Sequence, residues 1–347
     1  MYNKRNKYKA FQGTLFVIIL LSLLLHDITL EVTAQDIHFS QFFFAPQVIN
    51  PANTGNFKGD WRVSNNSRRQ WGAISAFSTF ALGMDKQFWV RTENFSAGAY
   101  VVSDISNFGS LWANKAYLSG AYHKTVKENK FHGGLQTGFV NKALNIDRIT
   151  FPDQYDRTIG DFSRSQATTE TGFRESVSYL DINVGAAWST TKGIFDPRAG
   201  IAAFHVNMPN ESLLNQKAKL PMRMIVHAGT DINFSNKIYA TPDIMYMTQN
   251  KAAEMIMGAS ISYVLSRPFL ENSVFAGIYT RNEFKNFDAL IILAGMHYQQ
   301  WTFGISYDLS MSDVSSIARN AGSFELSIIY KEISMQIKKF FIPCDRF

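Results

Sequence analysis

The 347-residue chain has one cysteine, nine prolines and only 18% charged residues. Each shortage excludes something. A lone thiol, Cys344, forms no internal disulfide, so stability has to come from backbone pairing and burial. Charge well below the usual quarter of residues excludes a disordered chain or a coiled coil. Long apolar runs are almost missing: one window, Thr14–Leu25 (TLFVIILLSLLL), falls short of the roughly 20 residues a spanning helix needs. A polytopic helical membrane protein is therefore excluded. What is abundant is aromatic, with 29 Phe and 14 Tyr.

The apolar window follows a basic stretch (Lys4, Arg5, Lys7, Lys9) and precedes a small-residue site at Val32-Thr33-Ala34. That order reads as an export signal over residues 1–34, with the mature chain starting at Gln35 outside the inner membrane. The mature balance is then 30 basic against 26 acidic residues, with no Lys/Arg cluster, which is no footprint for nucleic acid.

From residue 60 to 347 the chain reads as alternating segments of roughly ten residues separated by turn residues. In Trp301–Ser310, Trp301, Phe303, Ile305, Tyr307 and Leu309 face one way, and Thr302, Gly304, Ser306, Asp308 and Ser310 the other. Tyr179–Trp188, Glu254–Leu265, Asp288–Tyr298 and the segment at 323–331 alternate similarly. The apolar faces carry rings at their ends, as interfacial girdles require, and the opposite faces are Gly, Ser, Thr and Asn, which suits a polar lumen better than a sandwich core. With the export signal, this predicts an all-β, closed antiparallel outer-membrane β-barrel in contact with outer-membrane lipid. About fourteen strands are expected, starting near 60, 77, 95, 112, 131, 177, 199, 221, 237, 254, 273, 288, 301 and 322, with the first and ninth the least periodic. Closure is forced, because an open edge in hydrocarbon leaves backbone groups unpaired. A barrel of this size has a narrow or plugged lumen.

Two stretches break the alternation. Residues 143–176 are long and polar, and read as a functional loop or an infolded plug. Residues 35–59 precede the first strand, and Phe39, Phe42, Phe43 and Phe44 are too apolar for a free tail. They are expected to pack at the periplasmic end or in the lumen, as a plug or cap.

Catalytic and metal signatures are missing. None of the seven histidines sits at ligand spacing, no HExxH or Cys/His cluster occurs, and there is no GxSxG elbow. His205 and His227 fall on neighbouring expected strands and could approach each other as lumen or rim histidines; Asp153 and Asp156 read as solvated loop carboxylates rather than a cation site. The terminal Phe347 fits the aromatic ending common in outer-membrane barrels.

Four stretches together resemble one family. They are Asp36–Gly55 (DIHFSQFFFAPQVINPANTG), Phe151–Tyr155 (FPDQY), Phe204–Ser212 (FHVNMPNES) and the tail from Gly322 to Pro343-Cys344-Asp345-Arg346-Phe347. In order and spacing they are similar to the PorP/SprF family of type IX secretion system membrane proteins of the Bacteroidota. Two departures, Asp345 where the family tail has Pro and Asn53-Thr54 before Gly55, leave the choice among paralogues open. The resemblance implies a barrel without catalytic residues, cofactor or metal. It implies a role in the export or surface attachment of particular cargo such as large adhesins, including motility adhesins in gliding species. Its implied partners are the secretion machinery, peptidoglycan-associated periplasmic proteins and the secreted cargo. On that reading the contact or plug and rim positions are Gln41, Asn50, Pro51, Phe151, Asp153, Gln154, His205, Asn207 and Pro209, organising the periplasmic plug or rim. The alternative is an outer-membrane diffusion channel for a small or hydrophobic solute, and a third possibility is an outer-membrane hydrolase or acyltransferase with a site built across strands.

Overall fold

Alternation between a lipid-facing and a lumen-facing row dictates the architecture. The computed structural model describes residues 36–332 apart from 71–76, 107–110, 147–148, 164, 170–171, 173, 215–216, 267–271, 284–285 and 312–321. The expected leader, Cys344 and Phe347 lie outside the described residues. Along 301–310, Trp301, Phe303, Ile305, Tyr307 and Leu309 are exposed, while Thr302, Ser306 and Asp308 are buried. This is the arrangement that hydrocarbon outside and a packed interior demand.

The strands are β1 (Trp61–Gln70), β2 (Phe77–Val90), β3 (Glu93–Ser106), β4 (Leu111–Val126), β5 (Asn129–Leu144), β6 (Tyr155–Asp156), β7 (Asp161–Phe162), β8 (Ser176–Thr190), β9 (Phe195–Phe204), β10 (Arg223–Asn233), β11 (Ile238–Gln249), β12 (Ala252–Ser266), β13 (Asn272–Glu283), β14 (Asn286–Tyr298), β15 (Trp301–Ser310) and β16 (Ser323–Glu332). Fourteen of them form one closed barrel in sequential order, sealed where β1 pairs antiparallel with β16, Trp61 opposite Glu332; β6 and β7 make a separate small hairpin. Strand starts fall within four residues of the sequence expectation throughout.

The two ends differ. The connections at 91–92, 127–128, 191–194, 234–237, 267–271 and 299–300 are short, whereas the opposite end carries 145–175, 205–222 and 311–322. Bacterial barrels keep short turns on the periplasmic side and long loops outside, which orients the molecule. A girdle of rings follows the short-turn end. Trp61, Tyr330 and Trp301 pack at centroid separations of 5.1 and 4.8 Å, and Phe88, Phe95 and Tyr122 at 6.3 and 5.2 Å. Outward polar pairs, Ser103 with Asn114 and Asn141 with Ser178, mark where the lipid-facing band ends at the long-loop side.

Residues 36–59 run through the lumen. A 3₁₀ turn at Phe42–Phe44, a single helical turn at Pro46–Ile49 and a second 3₁₀ turn at Pro51–Asn53 lead down to Asp60, whose amide donates to the Glu332 carbonyl at 2.8 Å. One sector of the inner wall is consequently apolar rather than polar. Ile225, Met245, Ile256, Phe275, Ile291 and Leu293 are buried in one cluster with Phe42 and Ile49, and Phe43 and Phe44 pack against it. A uniformly polar lumen, as the alternation suggested, is thus corrected: where the Phe run passes, the wall that meets it is apolar. A one-residue side chain decides the fit elsewhere. Gly134 presents no Cβ, and one built there would lie 2.3 Å from the Pro51 carbonyl carbon.

Among its described residues, the long connection carries an exposed hairpin. β5 continues to Leu144 and β8 starts at Ser176, and the β6–β7 hairpin between them leaves Tyr155, Ile159 and Phe162 exposed.

Candidate functional site

The lumen segment is held by two clusters of charge, both near the long-loop end. In the first, the Ser40 and Gln41 amides donate to the two carboxylate oxygens of Glu325, at 2.7 and 2.9 Å. Arg68 bridges Glu325 at 2.8 Å and Asp308 at 3.3 Å, Arg281 reaches Asp308 at 2.8 Å, and the Ser40 hydroxyl donates to Asp308 at 2.6 Å. All of these groups are buried. A carboxylate removed from water needs such saturation, because an unpaired buried charge costs several kcal/mol. Gln41, one of the expected positions, also donates from Nε2 to Ser306 Oγ at 3.0 Å and to the Glu325 carbonyl at 3.2 Å.

The second cluster centres on Asp36. It meets Lys115, Arg223 at 3.4 Å and His205 Nε2 at 2.9 Å, while His205 Nδ1 lies 2.9 Å from Asp181. Burial opposes ionisation of Asp36, but Lys115, Arg223 and His205 outweigh it and hold the carboxyl well below its usual range. Burial likewise opposes charging His205, and the hydrogen bonds it donates to the Asp181 and Asp36 carboxylates overcome it and raise the imidazole. His38, next along the segment, is pushed well below its ordinary value by burial and by Arg68 and Arg281, despite lying 3.3 Å from Glu254.

Lower down, Asn50 is completely buried. Its Oδ1 accepts from the Ala52 amide at 2.9 Å, capping the turn that Pro51 opens. Its Nδ2 lies 3.1 Å from the Ala186 carbonyl on β8, 3.2 Å from the Ile201 carbonyl on β9 and 3.2 Å from His227 Nε2. Near the short-turn end, the Gly55 amide donates to Asp85 at 2.6 Å, and Arg62 pairs with the same carboxylate at 2.6 Å. Gly55 has φ +70°, and a Cβ there would fall 1.9 Å from Ser96 Oγ, so only glycine fits.

Between the Phe42–Ile49 stretch and the inner faces of β8 to β11 a cavity of about 170 Å³ remains, lined among others by Phe43, Pro46, Arg62, Arg198, His227 and Asp243. It lies in the short-turn half, beneath the charge clusters.

The remaining expected residues sit at the long-loop rim rather than the periplasmic one. Phe151 opens a 3₁₀ turn whose Gln154 side chain accepts from the Phe151 amide at 3.0 Å and donates to the Gln166 carbonyl at 2.7 Å. Asp153 accepts from the Thr169 amide at 2.6 Å and from both Thr168 and Thr169 hydroxyls, which hold its carboxyl below the usual range, the Thr169 amide foremost. Asp156 accepts from the Thr158 amide at 2.7 Å. Both carboxylates stitch the loop, and no group of three metal-ligating side chains converges among the described residues. His205 has φ +58° and turns the chain out of β9; Pro209 accepts from the Leu220 amide at 2.8 Å. His205 and His227 do not meet: His227 stands opposite Gly200 on β9 and bonds Asn50, while His205 lies beyond the end of that strand.

One pair escaped the sequence reading. His123 and His132 face each other across β4 and β5 with their Nδ1 atoms 2.6 Å apart, and Ser96 Oγ is 2.9 Å from His123 Nε2. Cross-strand register, rather than sequence spacing, brings them together. Ser96 is buried beside Gly55, where a built Cβ would fall 1.9 Å from its hydroxyl oxygen.

Two toluene transporters are among the solved structures that share the fold. The toluene transporter TbuX of Ralstonia pickettii aligns at TM-score 0.50 and 11% identity, over 84% of this chain and 94% of that one. The Pseudomonas putida toluene transporter TodX aligns at 0.50 and 10% identity, over 82% and 92%. At such identity the likeness concerns the barrel alone. No curated protein matches the chain in sequence. The profile of the family described as "Type IX secretion system membrane protein PorP/SprF" matches residues 31–330. The chain therefore belongs to the PorP/SprF family of type IX secretion system membrane proteins, and its barrel is an outer-membrane one.

Proposed function

We propose that this chain is a non-enzymatic outer-membrane component of type IX secretion, which helps particular cargo, such as large adhesins, to be exported or attached at the cell surface. In gliding species that cargo includes motility adhesins. The observation that carries this reading is the clamp of Glu325 on the Ser40 and Gln41 amides, within a lumen segment tied to both barrel ends. A lumen filled by covalently attached and ion-paired chain favours a scaffold over a conduit. Cargo then meets the barrel from outside, at the long-loop rim, where Phe151–Gln154 and His205–Pro209 build ordered loops. The secretion machinery and peptidoglycan-associated proteins meet it at the short-turn end.

The competing reading, a diffusion channel for a small or hydrophobic solute, draws on the fold shared with the two toluene transporters and on the cavity near Arg198. Deleting the gene and profiling the surface proteome separates the two. Loss of one or a few large surface proteins, with solute uptake intact, is expected; unchanged secretion with altered uptake would overturn the scaffold reading.

A further inference from the structure

The barrel wall is not uniformly sealed. β8 pairs with β5 over fifteen residues, from Thr190 opposite Asn129 to Ser176 opposite Ala143. On its other side it pairs with β9 over six, from Ser189 opposite Arg198 to Val184 opposite Ala203. Continued, that register would set Ile182 against residue 205, but the left-handed backbone of His205 ends the ladder there. The outer half of β8 then has β5 as its one strand neighbour among the described residues.

Side chains complete the wall in place of a strand. The Ile182 amide donates to Asn207 Oδ1 at 3.1 Å, and Asn207 Nδ2 donates to the Leu180 carbonyl at 2.7 Å. The Val206 amide donates to the Ile182 carbonyl at 3.0 Å, and the His205 amide to Asn183 Oδ1 at 2.9 Å. The Asn207 carboxamide thus offers β8 one acceptor and one donor, the two kinds of group that the backbone of an adjacent strand would present at Ile182 and Leu180. Yet the two Asn207 bonds are solvent-exposed, the flap turns through left-handed, non-glycine backbone at His205 and Met208 (φ +41°), and such bonds exchange at little cost. Around them Leu180, Val206 and Met208 stand exposed, an apolar rim for alternate side chains of an extended chain.

We infer that the outer half of β8, residues 176–182, is a docking edge for an extended segment of a client polypeptide, which adds as a strand where the Asn207 carboxamide now stands in for one. The inference rests on the secretion reading above and supplies its contact. The occupant is backbone, because the placeholder is an amide, and it comes from the cell-surface side, where this edge lies.

The experiment has two arms. Gene deletion first names the client as the surface protein that is lost; if none is lost, the secretion reading fails independently of this edge. Leu180→Pro is then expressed in the deletion strain. The Ile182 amide and carbonyl and the Leu180 carbonyl all face the flap, so the Leu180 amide does too, and proline there removes an edge donor without touching the β5 ladder. Heat-modifiable mobility is expected to persist, while surface client falls by about tenfold or more, the equivalent of about 1.4 kcal/mol. A photocrosslinker at Ser178 in the otherwise native chain is expected to capture the named client. A Leu180→Pro barrel that folds and displays normal client overturns the inference. So does a Ser178 adduct confined to this chain, whether its own loop or a second copy; should Leu180→Pro fail to fold, that adduct decides.

Discussion

Glu325 binds the lumen segment through two successive backbone amides, Ser40 N on one carboxylate oxygen and Gln41 N on the other. The contact joins the last strand to a stretch nearly three hundred residues earlier, and it uses main-chain donors that no substitution in the segment other than proline removes. Glu325 is therefore the residue through which the clamp can be tested. Glu325→Ala leaves Arg68 short of a partner and both amides bare inside the barrel. The expected cost is about 3–5 kcal/mol, as for other buried pairs broken from one side. It should appear as a lower temperature for the heat-modifiable transition and as new conductance in planar bilayers, where the wild type is expected to be closed. Unchanged conductance at unchanged transition temperature would contradict the clamp.

Adjacent glycines on β5 give an internally controlled pair. A Cβ at Gly134 would overlap the Pro51–Ala52 backbone, whereas one at Gly133 meets nothing within 4 Å. Gly134→Ala is expected to destabilise by about 1–3 kcal/mol through overpacking. Gly133→Ala should leave stability within experimental scatter. Equal effects in a melting series would mean that the segment does not seat against β5.

Dependence on pH follows from Asp36 and His205. Asp36 is depressed from its ordinary 3.8, so its contribution is present above that value and is lost as pH falls through the lower folded one. His205 is raised from 6.5, so its contribution is full below 6.5 and is lost as pH rises through the higher folded one. Together they place greatest support between about pH 4 and 6.5. His38, depressed by burial and two arginines, works against that window by favouring the neutral ring above 6.5. Isolating the effect requires a difference: the wild type minus His205→Gln should show stabilisation that fades on the alkaline side. A gap that widens with rising pH would reverse the sign and refute the assignment.

Asp153 belongs to the loop rather than to the wall. Its bonds to Thr168 and Thr169 lie in solvent, so Asp153→Ala should leave the barrel transition unchanged. Protease added to intact cells should nevertheless cut the variant faster between residues 145 and 175. Equal cutting rates would show that these bonds do not order the loop.

Much of the wall was legible in the sequence because lipid tolerates only one answer on the outer face. Leu290, Ile292, Ala294 and Met296 on β14 leave no doubt about their orientation. β11 was obscure for a physical reason: Met245 and Met247 face inward against Phe42 and Ile49, so both of its faces read as apolar. The route of residues 36–59 was half legible. Four phenylalanines announced burial, but only the segment's tertiary pairing with Asp308, Glu325 and His205 shows where it goes. Asn207 was picked out by resemblance, whereas its bonds to the backbone of Ile182 and Leu180 have no one-dimensional signature. The periodicity of β8 and β9 says nothing about how far they pair.

The way the segment threads the barrel constrains how the molecule is made. Asp36 is fixed beside the outer mouth and Asp60 at the inner one, and β1 continues directly from Asp60 to zip against β16. Glu325 belongs to the strand that fastens the hoop against β1, so the two bonds that hold the cork at Ser40 and Gln41 are complete only in a fastened hoop.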